Sequence, residues 1–462
     1  MLLKGKHVLV LGLGESGLAM TRWCVRQGAS VRVADTRAAP PCLEVLRREI
    51  PAAEFRSGEF DKSLLQGVDM LALSPGLSPG LLVVIHARAQ GIPVAGEIEL
   101  FALGLQALGW RRDSKVLAIT GTNGKTTTTS LTGHLINAAG LDAAVAGNIS
   151  PAALDALMDR VDVDKPPRVW VLELSSFQLE TTETLAADAA TVLNISDDHL
   201  DRYRDLDDYA AAKARIFEGD GVQVLNRQDA RVKKMALAGR KLITFGLDAP
   251  GSEIDFGLRQ NRGEAWMVQG DSFLLPLAEL PMVGLHNAAN AMAALALCAA
   301  IDLKPVSLLP ALRAFRGLPH RVEKVASVNN IDWYDDSKGT NVGATVAALA
   351  GMGRPVVLIL GGEGKGQDFS PLKDAVLNHA RSVVLIGRDA ALIAEAIGND
   401  SKVPLYFANT MEEAVAISAN EALAGDAVLL SPACASFDMF RNYQHRAQVF
   451  VDAVQAQLKV AS

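Results

Sequence analysis

The chain has 462 residues, enough for two to four domains of ordinary size and most naturally three. Lys plus Arg total 45 against 52 Asp plus Glu, a formal charge of −7, so no global positive field marks the chain for nucleic acid or an anionic membrane, and neither is expected as a partner. With 49% hydrophobic and 5% aromatic residues the composition suits α/β cores, and Cys24, Cys42, Cys298 and Cys434 are too scattered for a zinc site or disulfide frame and read as buried thiols in a reducing compartment.

In chain order, the first feature is an apolar run after Lys4 and Lys6. It spans only Val8 to Leu13 and is broken by Gly12, Gly14 and Gly17 around Glu15, so it reads as a buried strand entering a glycine turn and not as a secretion signal. Strands are expected at His7 to Leu11, Val31 to Ala34 and Met70 to Leu73, with helical stretches between them, the alternation of βαβ units in a parallel sheet. Gly12-Leu13-Gly14-Glu15-Ser16-Gly17 sets a G-x-G-x-x-G between strand and helix, and Asp35 closes the next strand 18 residues past Gly17. Alone, this pattern proposes a nicotinamide dinucleotide with Asp35 on a ribose, although such turns cradle many diphosphates. Asp35-Thr36-Arg37 and Ser74-Pro75-Gly76 each end a strand and line the same crevice. The polar stretch Gly109 to Asp113 closes this unit, giving an expected first domain of residues 1–110.

A second unit opens with strand Val116 to Thr120, which runs into Gly121-Thr122-Asn123-Gly124-Lys125-Thr126-Thr127 and a helix from Thr128 to Ala139. The glycines let backbone N–H groups turn toward an anion, the helix N-terminus adds its dipole, Lys125 can reach the outer phosphates of a nucleoside triphosphate and Thr126 can ligate Mg²⁺. The common phosphate-loop pattern has a glycine where Ile119 stands, so this is a shortened variant, and a nicotinamide enzyme would leave it unexplained. Strands Val169 to Leu174 and Thr191 to Ile195 deliver Glu173 and the segment Asn194-Ile195-Ser196-Asp197-Asp198-His199-Leu200-Asp201-Arg202. Mg²⁺ takes few protein oxygens, so Thr126 with Glu173 would make a sufficient site, and His199 is a candidate beside it. Helical spacing from Asp208 to Phe217 puts Lys213 on one stripe with Tyr209, Ile216 and Phe217. Such a lysine either snorkels to water or sits in a dry pocket as a reactive neutral amine. After strand Val222 to Asn226, the polar segment Gly246 to Met282, with Gly251, Gly257, Gly263 and Gly270, suits hairpins. The apolar stretch Ala288 to Ile301 falls short of the roughly 20 residues of a membrane span, so a cytoplasmic protein is expected.

The segment Arg316 to Glu323 interrupts helical pattern and separates an expected second domain, 111–318, from a third, 319–462. Strands are expected at Ile331 to Tyr334, Val356 to Leu360, Val383 to Ile386, Leu405 to Ala408 and Ala427 to Leu430. Three strand-end loops carry polar groups suited to carboxylate or phosphate: Asp335-Asp336-Ser337-Lys338-Gly339-Thr340-Asn341, Gly361-Gly362-Glu363-Gly364-Lys365-Gly366, and Ser431-Pro432-Ala433-Cys434-Ala435-Ser436-Phe437-Asp438.

Together these motifs resemble the Mur ligases of peptidoglycan synthesis along the whole chain: GLGESG with DTR and SPG, GTNGKTT, LELSSFQLET, NISDDHLDRY, YAAAKARIF, GLHNAANAMAA, FRGLPHR, DDSKGTN, GGEGKGQDF and SPACASFDMFRNY. LELSSFQ and SPACASFD are the most specific; folylpolyglutamate synthases share the central loop but differ in the amino-acid-binding segments. The resemblance implies three α/β domains: an N-terminal Rossmann-like domain, a central P-loop mononucleotide-binding domain with a mostly parallel sheet, and a C-terminal Rossmann-like domain. It implies a monomeric ATP-dependent ligase that phosphorylates a carboxylate of UDP-N-acetylmuramoyl-L-alanine and joins D-glutamate to it, with another Mur-type or folylpolyglutamate-type amide ligase as the alternative. The nicotinamide reading recedes to a distant one. UDP would be held by Glu15, Ser16, Asp35, Thr36 and Arg37, with Gly76 and Asn148 nearby. ATP would meet Gly121, Thr122, Asn123, Gly124, Lys125, Thr126, Thr127, Asn287, Asn290, Arg321, Asp336 and Lys338. Two Mg²⁺ ions are implied, one on Thr126 and Glu173, the other on His199 and Lys213, with Lys213 as a carbamate; Lys125, Glu173, His199 and Lys213 would be the catalytic group. Thr340, Lys365, Ser436, Phe437 and Tyr443 resemble a D-glutamate pocket, where the family often has Phe in place of Tyr443.

Overall fold

A computed structural model describes residues 3–198, 202–398 and 402–461, with the backbone alone for 459–461. Three sheets succeed one another along the chain. The first is a parallel five-stranded sheet of β1 (His7–Leu11), β2 (Ser30–Asp35), β3 (Glu54–Ser57), β4 (Met70–Leu73) and β5 (Val94–Ala95), in the order β3-β2-β1-β4-β5. Its strand order reverses between β1 and β4, where open α/β sheets form their binding crevice, and the glycine turn lies at that point.

The second sheet comprises β6 (Lys115–Thr120), β7 (Ala143–Gly147), β8 (Val169–Glu173), β9 (Ala189–Val192), β10 (Val222–Asn226), β11 (Leu242–Phe245), β12 (Phe256–Asn261), β13 (Glu264–Gln269) and β14 (Ser272–Pro276), ordered β14-β13-β12-β11-β10-β9-β6-β8-β7. It is parallel from β7 to β12 and antiparallel beyond, so the glycine-rich polar segment forms the hairpins its composition suits. The register of β6 sets Ile119 beside both Glu173 and Thr191, which brings the ends of three strands to one edge. The third sheet, β15 (Glu323–Val328), β16 (Ile331–Asp335), β17 (Val356–Gly361), β18 (Ala380–Ile386), β19 (Leu405–Phe407) and β20 (Ala427–Leu430), runs β15-β16-β20-β17-β18-β19. β16, β20 and β17 are parallel neighbours, so the three polar loops that follow them emerge side by side.

Several strands escape the pattern of the sequence. Glu54–Ser57 is a largely exposed edge with alternating charge, and Ala143–Gly147 carries one β-branched residue among alanines and glycine. The strand expected at Thr191 to Ile195 is displaced to Ala189–Val192, which frees Asn194 to turn back onto the phosphate loop. Cys24, Cys298 and Cys434 are buried, but Cys42 is only half-buried, because it sits at the surface end of the helix Leu43–Glu49.

The domains are joined in two different ways. One apolar cluster runs without a break from Val10 and Trp23 of the first sheet layer through Phe101 and Leu105 of the helix Glu97–Ala107 to Trp170, Leu172 and Leu174 beneath the second sheet. The two clusters of the third domain draw in only Val283 from outside it among the described residues. At the first joint, the fully buried Phe101 meets Trp170 edge to face, with ring centroids 5.0 Å apart. Phe101→Ala should therefore lower unfolding stability by about 3–5 kcal/mol in chemical denaturation; a loss no larger than that of a surface substitution would show that this joint is not cohesive.

Candidate active site

The phosphate loop leaves β6 at Thr120 and enters the helix Lys125–Ala138. Gly124 caps that helix with φ +81°, and a Cβ there would lie 2.3 Å from Asn290 Oδ1, so both conformation and space demand glycine. The neighbouring strand end fixes the loop's shape. Asn123 N donates to Asn194 Oδ1 at 2.8 Å, Asn194 Nδ2 donates to Asn123 O at 3.1 Å, and Ser196 N donates to Thr122 Oγ1 at 3.0 Å.

Two lysines converge on this loop. Lys125 Nζ donates to the carbonyls of Gly121 and Thr122, each at 2.8 Å, and Lys213 Nζ donates to the same Gly121 carbonyl at 3.0 Å. The stripe of Tyr209, Lys213, Ile216 and Phe217 is buried as its spacing suggests, and Lys213, 1% exposed, lies 4.6 Å from the Tyr209 ring centroid. Burial, and after it the charge of Lys125, pulls the Lys213 ammonium well below the ordinary lysine range, while Asp198 and Glu173 pull the other way. Lys125 is also lowered by burial, against the same two carboxylates.

Glu173, buried at the end of β8, accepts from Asn148 Nδ2 at 2.8 Å through Oε1, and its Oε2 has no hydrogen-bond partner among the described residues. A buried carboxylate oxygen with no donor, at the end of a strand paired with the one that enters the phosphate loop, suits a hard cation such as Mg²⁺. His199 lies outside the described residues.

The third domain reaches into this cluster. Arg321 Nη2 donates to Thr126 Oγ1 at 2.7 Å, and Asn341 Nδ2 donates to Asn123 Oδ1 at 3.1 Å. Burial lowers Arg321, against Glu173 and Asp336. Asn287 and Asn290 are buried on the helix Leu285–Ala300, where Asn290 Nδ2 donates to Asn287 Oδ1 at 3.3 Å. Asp336 accepts from Ser431 Oγ at 2.7 Å, and burial pushes its carboxyl up to about 7 against the pull of Ser431 and Arg321. Lys338 Nζ lies 4.1 Å from the centroid of Tyr443, so that ring meets a cation of the loop after β16. Lys365, at φ +53°, stands 5.7 Å over the exposed Phe437 ring, with Ser436 buried next to it and Thr340 exposed on the neighbouring loop.

The glycine turn forms a separate cavity of about 530 Å³ in the first domain, lined by Glu15, Ser16, Asp35, Thr36, Arg37 and Gly76 among others. A Cβ on Gly17 would come within 1.9 Å of Gly12 O, which explains the third glycine of the motif. Asp35 is fully engaged. Its Oδ1 accepts from Arg37 N at 2.9 Å and Arg37 Nε at 2.8 Å, and its Oδ2 accepts from Leu13 N and Arg37 Nη2, each at 2.8 Å. An aspartate so occupied cannot take a ribose as a nicotinamide dinucleotide requires; it instead holds the exposed Arg37 at the rim. Asn148 does not line this cavity. It follows β7, whose register sets Gly147 beside Glu173, and so joins the central cluster.

Thus Lys125, Thr126, Glu173, Lys213 and Arg321, spread over nearly two hundred residues, meet at one point. Asn194, Asp198 and Asn341 belong to the same cluster; their signal in the sequence is only that each lies at or just beyond a strand end.

Three α/β domains, a phosphate loop backed by two lysines and an acid, and an arginine delivered from the third domain define an enzyme that handles a nucleoside triphosphate between two further binding units. Residues 119–298 match the Mur ligase middle domain, 6–96 the Mur ligase MurD-like N-terminal domain and 320–434 the Mur ligase glutamate ligase domain. UDP-N-acetylmuramoylalanine--D-glutamate ligases from Aromatoleum aromaticum and Nitrosospira multiformis are 60% and 57% identical to this chain, covering 98% of it and 98% and 96% of their own lengths. The fold is similar to a crystal structure of MurF from Acinetobacter baumannii, with a TM-score of 0.61 at 18% identity over 98% of this chain and 91% of that one. The chain belongs to the Mur ligase family and is an ATP-dependent amide ligase.

The Asp35–Arg37 fork has a measurable signature. Hydrogen bonds from Arg37 hold the Asp35 carboxyl down, from 3.8 to about 2, so the pair stabilises the fold fully above pH 3.8 and this contribution is lost as pH falls through about 2. Asp35→Asn should remove about 1 kcal/mol at neutral pH, the exposed Arg37 leaving the pair partly screened by solvent, and flatten the unfolding profile between those values; an unchanged acid limb would contradict the fork's role.

Proposed function

We propose that this ligase joins D-glutamate to UDP-N-acetylmuramoyl-L-alanine in the cytoplasm, acting as a monomer, with units at residues 1–110, 111–318 and 319–462. The single observation that carries the catalytic reading is the convergence of Lys125, Lys213 and Glu173 on the loop that Arg321 closes. The naming of the substrates leans on the names of the relatives and on the loops after β16, β17 and β20.

In this reading the exposed Arg37 and the amides of the glycine turn hold the UDP diphosphate, with Asp35 orienting Arg37, and Asn148 stands near the far end of the same substrate. ATP lies along the loop from Gly121 to Thr127. Its γ-phosphoryl group passes to the alanyl carboxylate: a carboxylate oxygen forms the new P–O bond and ADP leaves. The D-glutamate amine then attacks the acyl carbon, loses a proton, and phosphate departs as the amide forms. Lys125, Arg321 and the loop amides meet the negative charge that develops on the transferred group, the contribution that dominates such transfers. Lys338, Asp336, Asn287 and Asn290 position the nucleotide. Lys365 pairs with a glutamate carboxylate, beside Thr340, Ser436, Phe437 and the Lys338-bound Tyr443.

Thr126 and Glu173 would hold one Mg²⁺, and His199 with Lys213 a second. Bound metal neutralises charge on the phosphates. Lys213 would serve as a ligand after its neutral amine adds CO₂ and releases a proton, the carbamate so formed turning a buried cation into an anion. The depressed basicity of the buried ammonium favours that step.

Lys125→Ala should reduce phosphate release by about 10²–10³-fold while UDP-substrate binding persists; equal loss of both would contradict separate sites. Lys213→Ala should nearly abolish ligation in a folded protein, and stripping bicarbonate from the wild type should slow it reversibly; full activity in the variant would exclude the carbamate. Phosphate release assayed across UDP-linked muramoyl acceptors with D- or L-amino acids tests the substrate assignment, which fails if D-glutamate is not preferred.

A further inference from the structure

The helix Glu97–Ala107 opens with a carboxylate that the fold buries and then surrounds with donors. Glu97 is 1% exposed; Ser16 Oγ donates to its Oε2 and Leu154 N to its Oε1, both at 3.2 Å, and Ala153 N and the Gln178 side chain also donate. These donors come from three segments far apart in the chain. Ser16 belongs to the glycine turn, and Ala153 and Leu154 begin the helix that follows the Asn148 loop. Gln178 closes the capped turn that directly follows Glu173 and Leu174. Burial pushes the Glu97 carboxyl up to about 7, against all four hydrogen bonds. A leucine would fill this space without that desolvation cost, so packing alone does not account for the acid. The Ser16 hydroxyl donates its proton to Glu97, so at the cavity it acts as a strut and leaves the turn's backbone amides to meet a diphosphate.

We propose that Glu97 is a positioning residue that fixes the distance between the diphosphate held at the glycine turn and the reacting carboxylate presented beside Asn148 and Glu173. This rests on reading the glycine turn as the UDP site. Glu99 supplies an internal control. It lies on the same helix and also ties the first domain to the second, accepting from Glu183 N at 2.7 Å, Thr184 N at 2.9 Å and Thr184 Oγ1 at 2.7 Å, and these hydrogen bonds come from none of the three segments.

The test is steady-state kinetics and thermal unfolding of the full chain carrying Glu97→Ala, Glu97→Gln, Ser16→Ala, Ser16→Ala with Glu97→Ala, or Glu99→Gln. Glu97→Ala should raise KM for UDP-N-acetylmuramoyl-L-alanine about tenfold and lower kcat, with KM for ATP and D-glutamate unmoved. Glu97→Gln, whose amide carbonyl can still accept from Leu154, should recover part of the loss, and it carries the same comparison if the alanine variant does not fold. Ser16→Ala should add little on top of Glu97→Ala, because the two act as one unit. Glu99→Gln should lower the unfolding temperature without moving any KM. The proposal is overturned if the Glu97 variants lose stability yet keep KM for the UDP substrate, if the Ser16 and Glu97 effects add in full, or if Glu99→Gln raises that KM equally. Calorimetric titration of UDP into wild-type protein separates the two readings. Absence of binding sinks the glycine-turn assignment, whereas binding together with an unmoved KM in the Glu97 variants sinks the positioning role alone.

Discussion

The carbonyl oxygen of Gly121 receives two lysine side chains, Lys125 at 2.8 Å and Lys213 at 3.0 Å, and the rest of the site follows from what it takes to keep them there. Two ammonium charges gathered on one carbonyl oxygen repel, and the low effective dielectric of a protein site strengthens that repulsion. Acids can offset that repulsion, and the ends of β8 and β9 bring Glu173 and Asp198 close enough to act on both lysines. One lysine can also give up its proton. Both are lowered by burial, but Lys213 is the less exposed of the two, so its charge is the more strongly disfavoured. A helix with Lys213 on its apolar stripe, a strand ending in Glu173 and a glycine loop offering a carbonyl are therefore parts of one electrostatic arrangement.

Much of this was legible in the sequence, and for identifiable reasons. A phosphate loop is local: strand, glycines, lysine and threonine stand in consecutive order, so Gly121 to Thr127 could be read directly. Lys213 was legible because helical spacing ties it to Tyr209, Ile216 and Phe217, and both neighbours and lysine prove buried. Asn194 and Asn341 were not, since their partner Asn123 lies 71 and 218 residues away and nothing in a one-dimensional pattern joins them. Asn148 shows the same limit in another form. Its place depends on β7, an alanine-rich strand that carries almost no β signal, and without that strand the register that sets it against Glu173 cannot be inferred. Asp35 was recognised as a strand-end acid, but only the structure reveals that Arg37, two residues on, consumes its hydrogen-bonding capacity.

The three domains differ in how firmly they are held. Continuous apolar packing, with Phe101 on Trp170 at its centre, unites the first two. Among the described residues, the third hydrogen-bonds to the phosphate loop through two polar side chains, Arg321 and Asn341, whose bonds can exchange for bonds to a nucleotide at little cost in buried apolar area. The site thus has a rigid half, where a carboxylate would wait beside a phosphoryl donor, and a half joined by replaceable contacts, where the amine would arrive.

The helix Glu97–Ala107 precedes the phosphate-loop unit in the chain, yet its apolar face lies in the core that reaches under the second sheet. Heredity and geometry therefore draw the border in different places. A recombinant that exchanged the first domain at the loop near Gly109 would import a foreign helix into its neighbour's interior, with Phe101 facing an unfamiliar Trp170. Crossing over before Gly96 would keep Phe101 with Trp170 but would part Glu97 from Ser16 and the helix from Trp23, so the helix belongs to both neighbours and neither seam divides the chain without loss.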